Sequence, residues 1–542
     1  MAGASFRTLS AAFDAAVRQA GGLSCLVVPA RPERGYLPDG LDWSYAETAA
    51  RVERLADSYA AQGYGLGHRV ALLLENRPEF MLHFLALIRL GACAVPVNPD
   101  YRAEDLAFLL AHSEADLAVA LPERQDGLAA VSAGLRDGAP VIGSEGFADA
   151  LPRARRPAAN GLPDEDSPGA LLYTSGTTGM PKGCLLSNAY FLFAGQRYLE
   201  AGGAMQVRPE EERLYNPLPL FYANSLGISN PAMILSRNAM IFPDRFHPRS
   251  WWQELEQTRA TIIHYLGIVA PVLLAAAPCD AERAHRVRFG VGAGLDPAQH
   301  DAFERRFGFP MVEVWGMSEV GIATAANHEP RGTDSRTIGR PLPGIELSVV
   351  DDQDRPVADG SEGELLLRRA GPDPRRGLFA GYWKDAAVTE EAWRGGWFHT
   401  GDIVRRAPDG LYHFVDRKKH MIRRSGQNIA AAEVEACLRG HPAVAEVAVL
   451  AIPDELREEE VLACIVPRDG IAADPGLAAE IAGHALERLA YFKAPGWVLF
   501  LDALPLTATQ KLRKSAIFAD GEDPRQRAGM CDCRDQKQRR GR

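Results

Sequence analysis

"LLYTSGTTGMPKG" (residues 171–183) gathers the hydroxyls of Thr174, Ser175, Thr177 and Thr178 around Gly176 and Gly179, and closes on Lys182 after Pro181. Bare backbone lets an anion come close, hydroxyls flank it, and one cation answers its charge, so the stretch reads as a polyphosphate cradle. An ATPase P-loop needs glycine before its lysine and serine or threonine after it, and this chain has Pro181 and Gly183 there. "GVGAGLD" (residues 290–296) is too loosely spaced for a dinucleotide fingerprint. The phosphates are therefore held by a different architecture.

Outward from the cradle, helical patterns such as "YAETAARVERLADSYAAQ" alternate with short apolar runs such as "RVALLLEN" and "ACAVPVN". Such alternation predicts α/β layering with largely parallel sheets. Near Arg405 the texture changes to the charged, hairpin-like "DGLYHFVDRKKHMIRRSGQNI". A compact α+β unit follows: helix "AAEVEACLRG", strands "EVAVLAIP" and "VLACIVP", helix "GLAAEIAGHALERL" and strand "WVLFL". The boundaries expected are a large domain over residues 1–418, a small one over 419–520, and a basic tail, 521–542, without periodicity and read as disordered.

At 542 residues the chain exceeds one hydrophobic core, and 46% apolar residues suffice to fill two. Sixty basic against 70 acidic side chains leave a net charge of -10, which argues against a nucleic-acid footprint and toward small-molecule partners. Eight scattered cysteines without a CxxC pair read as reduced thiols of a cytoplasmic protein with no zinc site. Phe6, Leu9, Phe13 and Val17 fall at helical spacing in a docking helix, not a signal peptide. The most apolar stretch, residues 265–278, is too short to span a bilayer and contains Pro271.

Six motifs in order carry a resemblance: "YTSGTTGMPKG" at 173, "VWGMSEV" at 314, "GEL" at 363 with "GYW" at 381, "GWFHTGDIV" at 396, "DRKKHMIRRSGQNI" at 416 and "PLTATQKLRK" at 505. Over about residues 11–517 the chain resembles the adenylate-forming enzymes, which include acyl-CoA synthetases, adenylation domains and beetle luciferases. Its wording is similar to carnitine/crotonobetaine-type and other small to medium acyl-CoA ligases. The resemblance implies a large N-terminal domain of parallel-sheet αβαβα layers with an associated β-subdomain, and a small mobile α+β C-terminal domain.

It also implies ATP and CoA as substrates, with Mg²⁺ as cofactor. A carboxylate attacks the α-phosphate of ATP only if charge on the reacting centre and on the departing pyrophosphate is stabilised. Lys182 and the loop from Thr174 to Gly179 fit the departing group. Glu319, with Ser318 beside it, matches the metal-associated acid, since Mg²⁺ wants a hard oxygen ligand. Trp315 and Gly316 would wall the adenine, and Asp402, with Arg417, would grip the ribose hydroxyls. Lys511 is the lysine that bridges the reacting groups, Lys419 the hinge, and Ser425 and Gly426 line the approach of the thiol.

Acyl-pocket walls by resemblance are Tyr222, Asn224, Val269, Gly292, Ala293, Gly294 and Met317. Three readings stand on sequence alone: an AMP-forming acyl-CoA synthetase, an adenylating enzyme that loads a separate carrier protein, and a nucleotide-binding regulatory protein. Gln510 in place of the usual glycine and Tyr222 in place of a frequent histidine depart from the family pattern.

Overall fold

The computed structural model describes residues 6–174, 181–424, 427–454, 457–506, 512–519 and 522–537. Two compact units emerge: one of residues 1–348, 366–399 and 407–413, the other of 349–365, 400–406 and 414–542.

The first unit holds the predicted alternation. One sheet runs, in spatial order, Gly381–Tyr382, Lys182–Ser187, Pro168–Thr174, Cys93–Pro96, Arg69–Leu73, Leu117–Ala120 and Val141–Gly143. From Pro168–Thr174 to Val141–Gly143 all neighbours are parallel. Runs such as "RVALL" and "LAVA" are apolar without alternation because such strands are covered on both faces. The cradle sequence enters at Thr174 and leaves at Lys182, where the chain reverses into an antiparallel pair.

A second run of strands places Thr337–Pro341, Gly321–Ala325, Met311–Met317, Phe289–Ala293, Ile262–Leu266, Arg213–Tyr215, Ala239–Ile241, Ser24–Val28 and Leu41–Ser44 side by side. The six from Met311–Met317 to Ser24–Val28 are mutually parallel. Helices Leu9–Ala20, Tyr45–Ala61, Pro78–Arg89, Asn188–Glu200 and Asn230–Ser236 pack on one another. The expected N-terminal helix docks through Leu9 and Phe13, both fully buried.

In the second unit, the hairpin Met421–Arg424/Gln427–Ala430 joins a sheet with Glu458–Pro467, Val444–Asp454 and Trp497–Phe500. Helices Ala431–Arg439 and Pro475–Arg488 contribute to its core through Val434, Leu438, Ile481 and Ala485. The disordered reading of the tail is corrected for residues 522–537. Met530–Asp532 pairs antiparallel with Trp497–Phe500, Cys533 is buried, and Arg534 lies 4.5 Å over the Trp497 ring. Lys537 donates to Glu460 at 2.5 Å, both side chains being almost wholly buried. A three-residue strand has too few positions to show a two-residue period; edge pairing and a buried charge order it instead.

Candidate active site

Thr174 and Lys182 face each other across the antiparallel pair. Ser175, Gly176, Thr177, Thr178 and Gly179 lie outside the described residues, as do Lys511, Ser425 and Gly426. Lys182 Nζ sits 4.9 Å from the centroid of the Tyr382 ring.

Strand Met311–Met317 turns back through Ser318, Glu319 and Val320 into Gly321–Ala325. The turn is tight: a Cβ on Gly316 would stand 2.1 Å from the Gly321 carbonyl oxygen, and Gly321 itself has φ +70°. The turn buries the Glu319 side chain, leaves Ser318 and Met317 half-buried and Gly316 exposed, and keeps Trp315 buried. Tyr382 Oη donates to Glu319 Oε1 at 2.9 Å, while Phe379 N donates to the Glu319 carbonyl at 2.8 Å. Burial first, and then the Glu319 carboxylate, push the Tyr382 phenol well above its ordinary range, so it stays a donor. One aromatic ring thus carries a cation on its face and a carboxylate on its hydroxyl. The Tyr382 role was invisible in sequence, where "GYW" marked only a motif.

Asn224 and its neighbours occupy a π-helical turn, Ala223–Ser229, following Tyr222, whose ring lies 4.8 Å from that of Phe221. Such turns are rare and frequent at functional sites. Asn224 is half-buried, and its Oδ1 lies 2.8 Å from Nδ1 of the fully buried His264. Gly292, Ala293 and Gly294 end strand Phe289–Ala293 and start the following loop, with Ala293 and Gly294 exposed. The loop approaches the next segment closely, since a Cβ on Gly267 would stand 2.1 Å from the Gly294 carbonyl oxygen. Glu313, missed in sequence, anchors it. Its carboxylate accepts from Tyr265 Oη at 2.5 Å, Gly294 N at 2.9 Å and Leu295 N at 3.2 Å. Val269 is 2% exposed and belongs to the core with Tyr215 and Tyr265, so it supports this wall from behind.

Asn216 follows strand Arg213–Tyr215, and Ala293 and Met317 close strands Phe289–Ala293 and Met311–Met317, so these three stand at the carboxyl ends of parallel strands, where open α/β sheets bind ligands. As to a metal, Glu319 offers the hard oxygen that Mg²⁺ takes, and a partner already fixes its orientation. Among the described residues no cluster of three or more His, Cys, Asp or Glu could hold a metal. That donor set fits Mg²⁺, which commonly uses one or two carboxylates and substrate phosphates in place of a protein cage.

In the second unit, Asp402 is 1% exposed and ion-paired to Arg417 Nε at 2.6 Å. Its own N–H donates to Thr400 Oγ1, whose hydroxyl is donated to the Leu365 carbonyl. Glu364 accepts from Gly401 N at 3.2 Å and from Lys418 Nζ at 2.9 Å, which fixes the backbone before Asp402. Lys419 lies in the single helical turn Lys418–His420.

Comparison with known proteins agrees in both units. The AMP-binding enzyme family matches residues 15–383, and the AMP-binding enzyme C-terminal domain matches residues 433–511. The sulfoacetate–CoA ligase of Cupriavidus necator is 32% identical over 503 residues, 90% of this chain and 95% of that one. A crotonobetaine/carnitine–CoA ligase of Salmonella typhi is 26% identical over 491 residues, 88% of this chain and 93% of its own. Among solved structures, ATP-bound MatB from Rhodopseudomonas palustris is similar at 25% identity with a TM-score of 0.78, covering 94% of this chain and 98% of that one.

Proposed function

Because this chain belongs to the AMP-binding enzyme family, we propose specific roles for its residues in an acid–thiol ligase reaction. The enzyme is an AMP-forming acyl-CoA synthetase: it joins a carboxylic acid to ATP as an acyl-adenylate with loss of pyrophosphate, then transfers the acyl group to the CoA thiol and releases AMP. The observation that carries the assignment of roles is the Lys182–Tyr382–Glu319 run, a cation and a carboxylate held apart by one ring. Lys182 and the loop beginning at Thr174 hold the β- and γ-phosphates. Glu319 would hold Mg²⁺, which when bound neutralises charge on the phosphates.

Asp402 accepts from the ribose hydroxyls while its ion pair with Arg417 orients it. Trp315 and Gly316 wall the adenine, Ser318 contacts phosphate, and Lys511 stabilises the charge on the reacting carboxylate and α-phosphate. Lys419 serves as the hinge, and Ser425 and Gly426 admit the thiol. Tyr222, Asn224, the loop from Gly292 to Gly294 and Met317 wall the acyl pocket, with Val269 behind them.

The substrate is a small carboxylic acid, in line with the relatives named for sulfoacetate and for crotonobetaine or carnitine. No helix among the described residues is long and apolar enough to cross a membrane, and a cytoplasmic location suits the substrates ATP and CoA. Acid-dependent exchange of labelled pyrophosphate into ATP tests the assignment. Exchange that requires Mg²⁺ and falls at least a hundredfold in Lys182→Ala and Glu319→Ala supports it, and wild-type rates in either variant contradict the role given to that residue.

A further inference from the structure

The orientation of Asn224 is fixed by a chain of hydrogen bonds that starts at the backbone. Leu218 N donates to Asn216 Oδ1 at 2.9 Å, so the other end of the Asn216 amide is its NH₂. That NH₂ lies 3.1 Å from Ser229 Oγ and 3.3 Å from Asn224 Oδ1. Ser229 spends its proton on the Ser225 carbonyl and accepts here. Were Asn224 turned over, two NH₂ groups would face each other at that distance, so Asn224 presents its oxygen to the network. The same oxygen lies 2.8 Å from His264 Nδ1, and this short contact, against the 3.4 Å from the Asn216 NH₂ to the same nitrogen, gives Nδ1 the ring proton, because two acceptors that close would repel. Nε2 is then the acceptor, and Tyr198 Oη donates to it at 2.9 Å. Burial pushes His264 down to about 3, so the ring is neutral and has one N–H to give.

The Asn224 oxygen is saturated by two donors. Its NH₂ is on the opposite side of a planar group and bonds to none of the described residues, and Asn224 is half-buried in a π-helical turn whose other residues are buried. We infer that Asn224 is a specificity-determining donor, and that the acid activated by this enzyme carries a hydrogen-bond acceptor, an anionic oxygen group or a hydroxyl, on its short acyl chain. The inference rests on the CoA-ligase reading and on Asn224 walling the acyl pocket. A purely aliphatic tail would leave this donor desolvated and unpaired, the situation in which binding sites discriminate most strongly.

Two pairs of acids alike in shape test it: sulfoacetate against 3,3-dimethylbutanoate, and 3-hydroxypropanoate against butanoate. Each is assayed by acid-dependent pyrophosphate exchange with the full-length wild type and with Asn224→Asp, a substitution that keeps the shape and the acceptor toward His264. The wild type should favour the first member of each pair by at least about tenfold in kcat/KM. Asn224→Asp turns the donor into an acceptor, so the sulfonate preference should fall at least tenfold while the hydroxyl preference, which needs either partner, persists. A wild type that favours the apolar member of each pair overturns the inference, and so does a variant whose sulfonate preference is unchanged. Equal collapse of both preferences in the variant also overturns it, because a hydroxyl could still donate to the new carboxylate and its preference would then not come from this side chain. Absence of acyl-CoA when CoA is added, with exchange intact, contradicts the ligase reading instead and leaves the exchange preferences to decide this one.

Discussion

Glu313→Gln removes one charge and almost no volume from a buried carboxylate with three donors around it. Tyr265 Oη and Leu295 N converge on Oε1, and Gly294 N on Oε2. A glutamine keeping its oxygen toward Tyr265 must set its NH₂ against the Gly294 N–H, losing one bond of about 1.5 to 3 kcal/mol to a charged acceptor and leaving a donor unpaired. The two remaining bonds weaken as the charge goes. The expected loss is about 2 to 4 kcal/mol, or roughly 5 °C in the unfolding midpoint of a large domain.

Because Gly294 and Leu295 begin the loop after the pocket-wall strand, KM for the acid should rise about tenfold while KM for ATP changes little. Differential scanning fluorimetry and acid-dependent pyrophosphate exchange read the two effects separately. Tyr265→Phe, which removes one of the three donors, should lose only about 1 kcal/mol. A Glu313→Gln protein as stable as wild type, with an unchanged KM for the acid, would refute the anchoring role.

Tyr382→Phe keeps the ring under Lys182 but deletes the bond to Glu319, so the Mg²⁺ concentration for half-maximal exchange should rise severalfold with an unchanged melting temperature; an unchanged Mg²⁺ requirement would remove Tyr382 from the site. Lys511→Ala should slow adenylate formation by roughly a hundredfold to a thousandfold yet still pass a supplied acyl-adenylate to CoA, and equal loss of both steps would contradict its role. His83 and His264 are each held neutral by burial, down to about 3. The unfolded chain binds more protons between about pH 3 and 6.5, so stability should fall as pH drops through that window, by up to about 1.4 kcal/mol per pH unit for each ring. Urea midpoints at pH 7.5 and 5.5 would show it, and His83→Phe should lessen the slope; a flat profile would mean that neither ring is kept neutral.

Much of this was readable because the chemistry is local. The cradle from Thr174 to Lys182 shows its hydroxyls, glycines and lysine in nine residues, and apolar runs such as "LAVA" announce buried parallel strands without reference to anything distant. The three most informative additions, Glu313, His264 and Tyr382, become legible only through the fold. Tyr382 stands 63 residues from the carboxylate it orients. Glu313 reads in sequence as an ordinary acid in a strand until Tyr265 and the Gly294 backbone arrive beside it. His264, between Ile263 and Tyr265, looks like a core position, and its tautomer is dictated by an amide of Leu218 two side chains away. The tail was misread for a similar reason, since Met530–Asp532 is a strand by virtue of the edge it joins.

Mass spectrometry of the products formed from ATP, Mg²⁺, CoA and small carboxylic acids tests the central claim most directly. The account predicts AMP, pyrophosphate and the acyl-CoA in equal amounts, with no acyl-CoA when ATP is omitted. ADP and phosphate in place of AMP and pyrophosphate, or an acyl-adenylate that CoA never discharges, would contradict it.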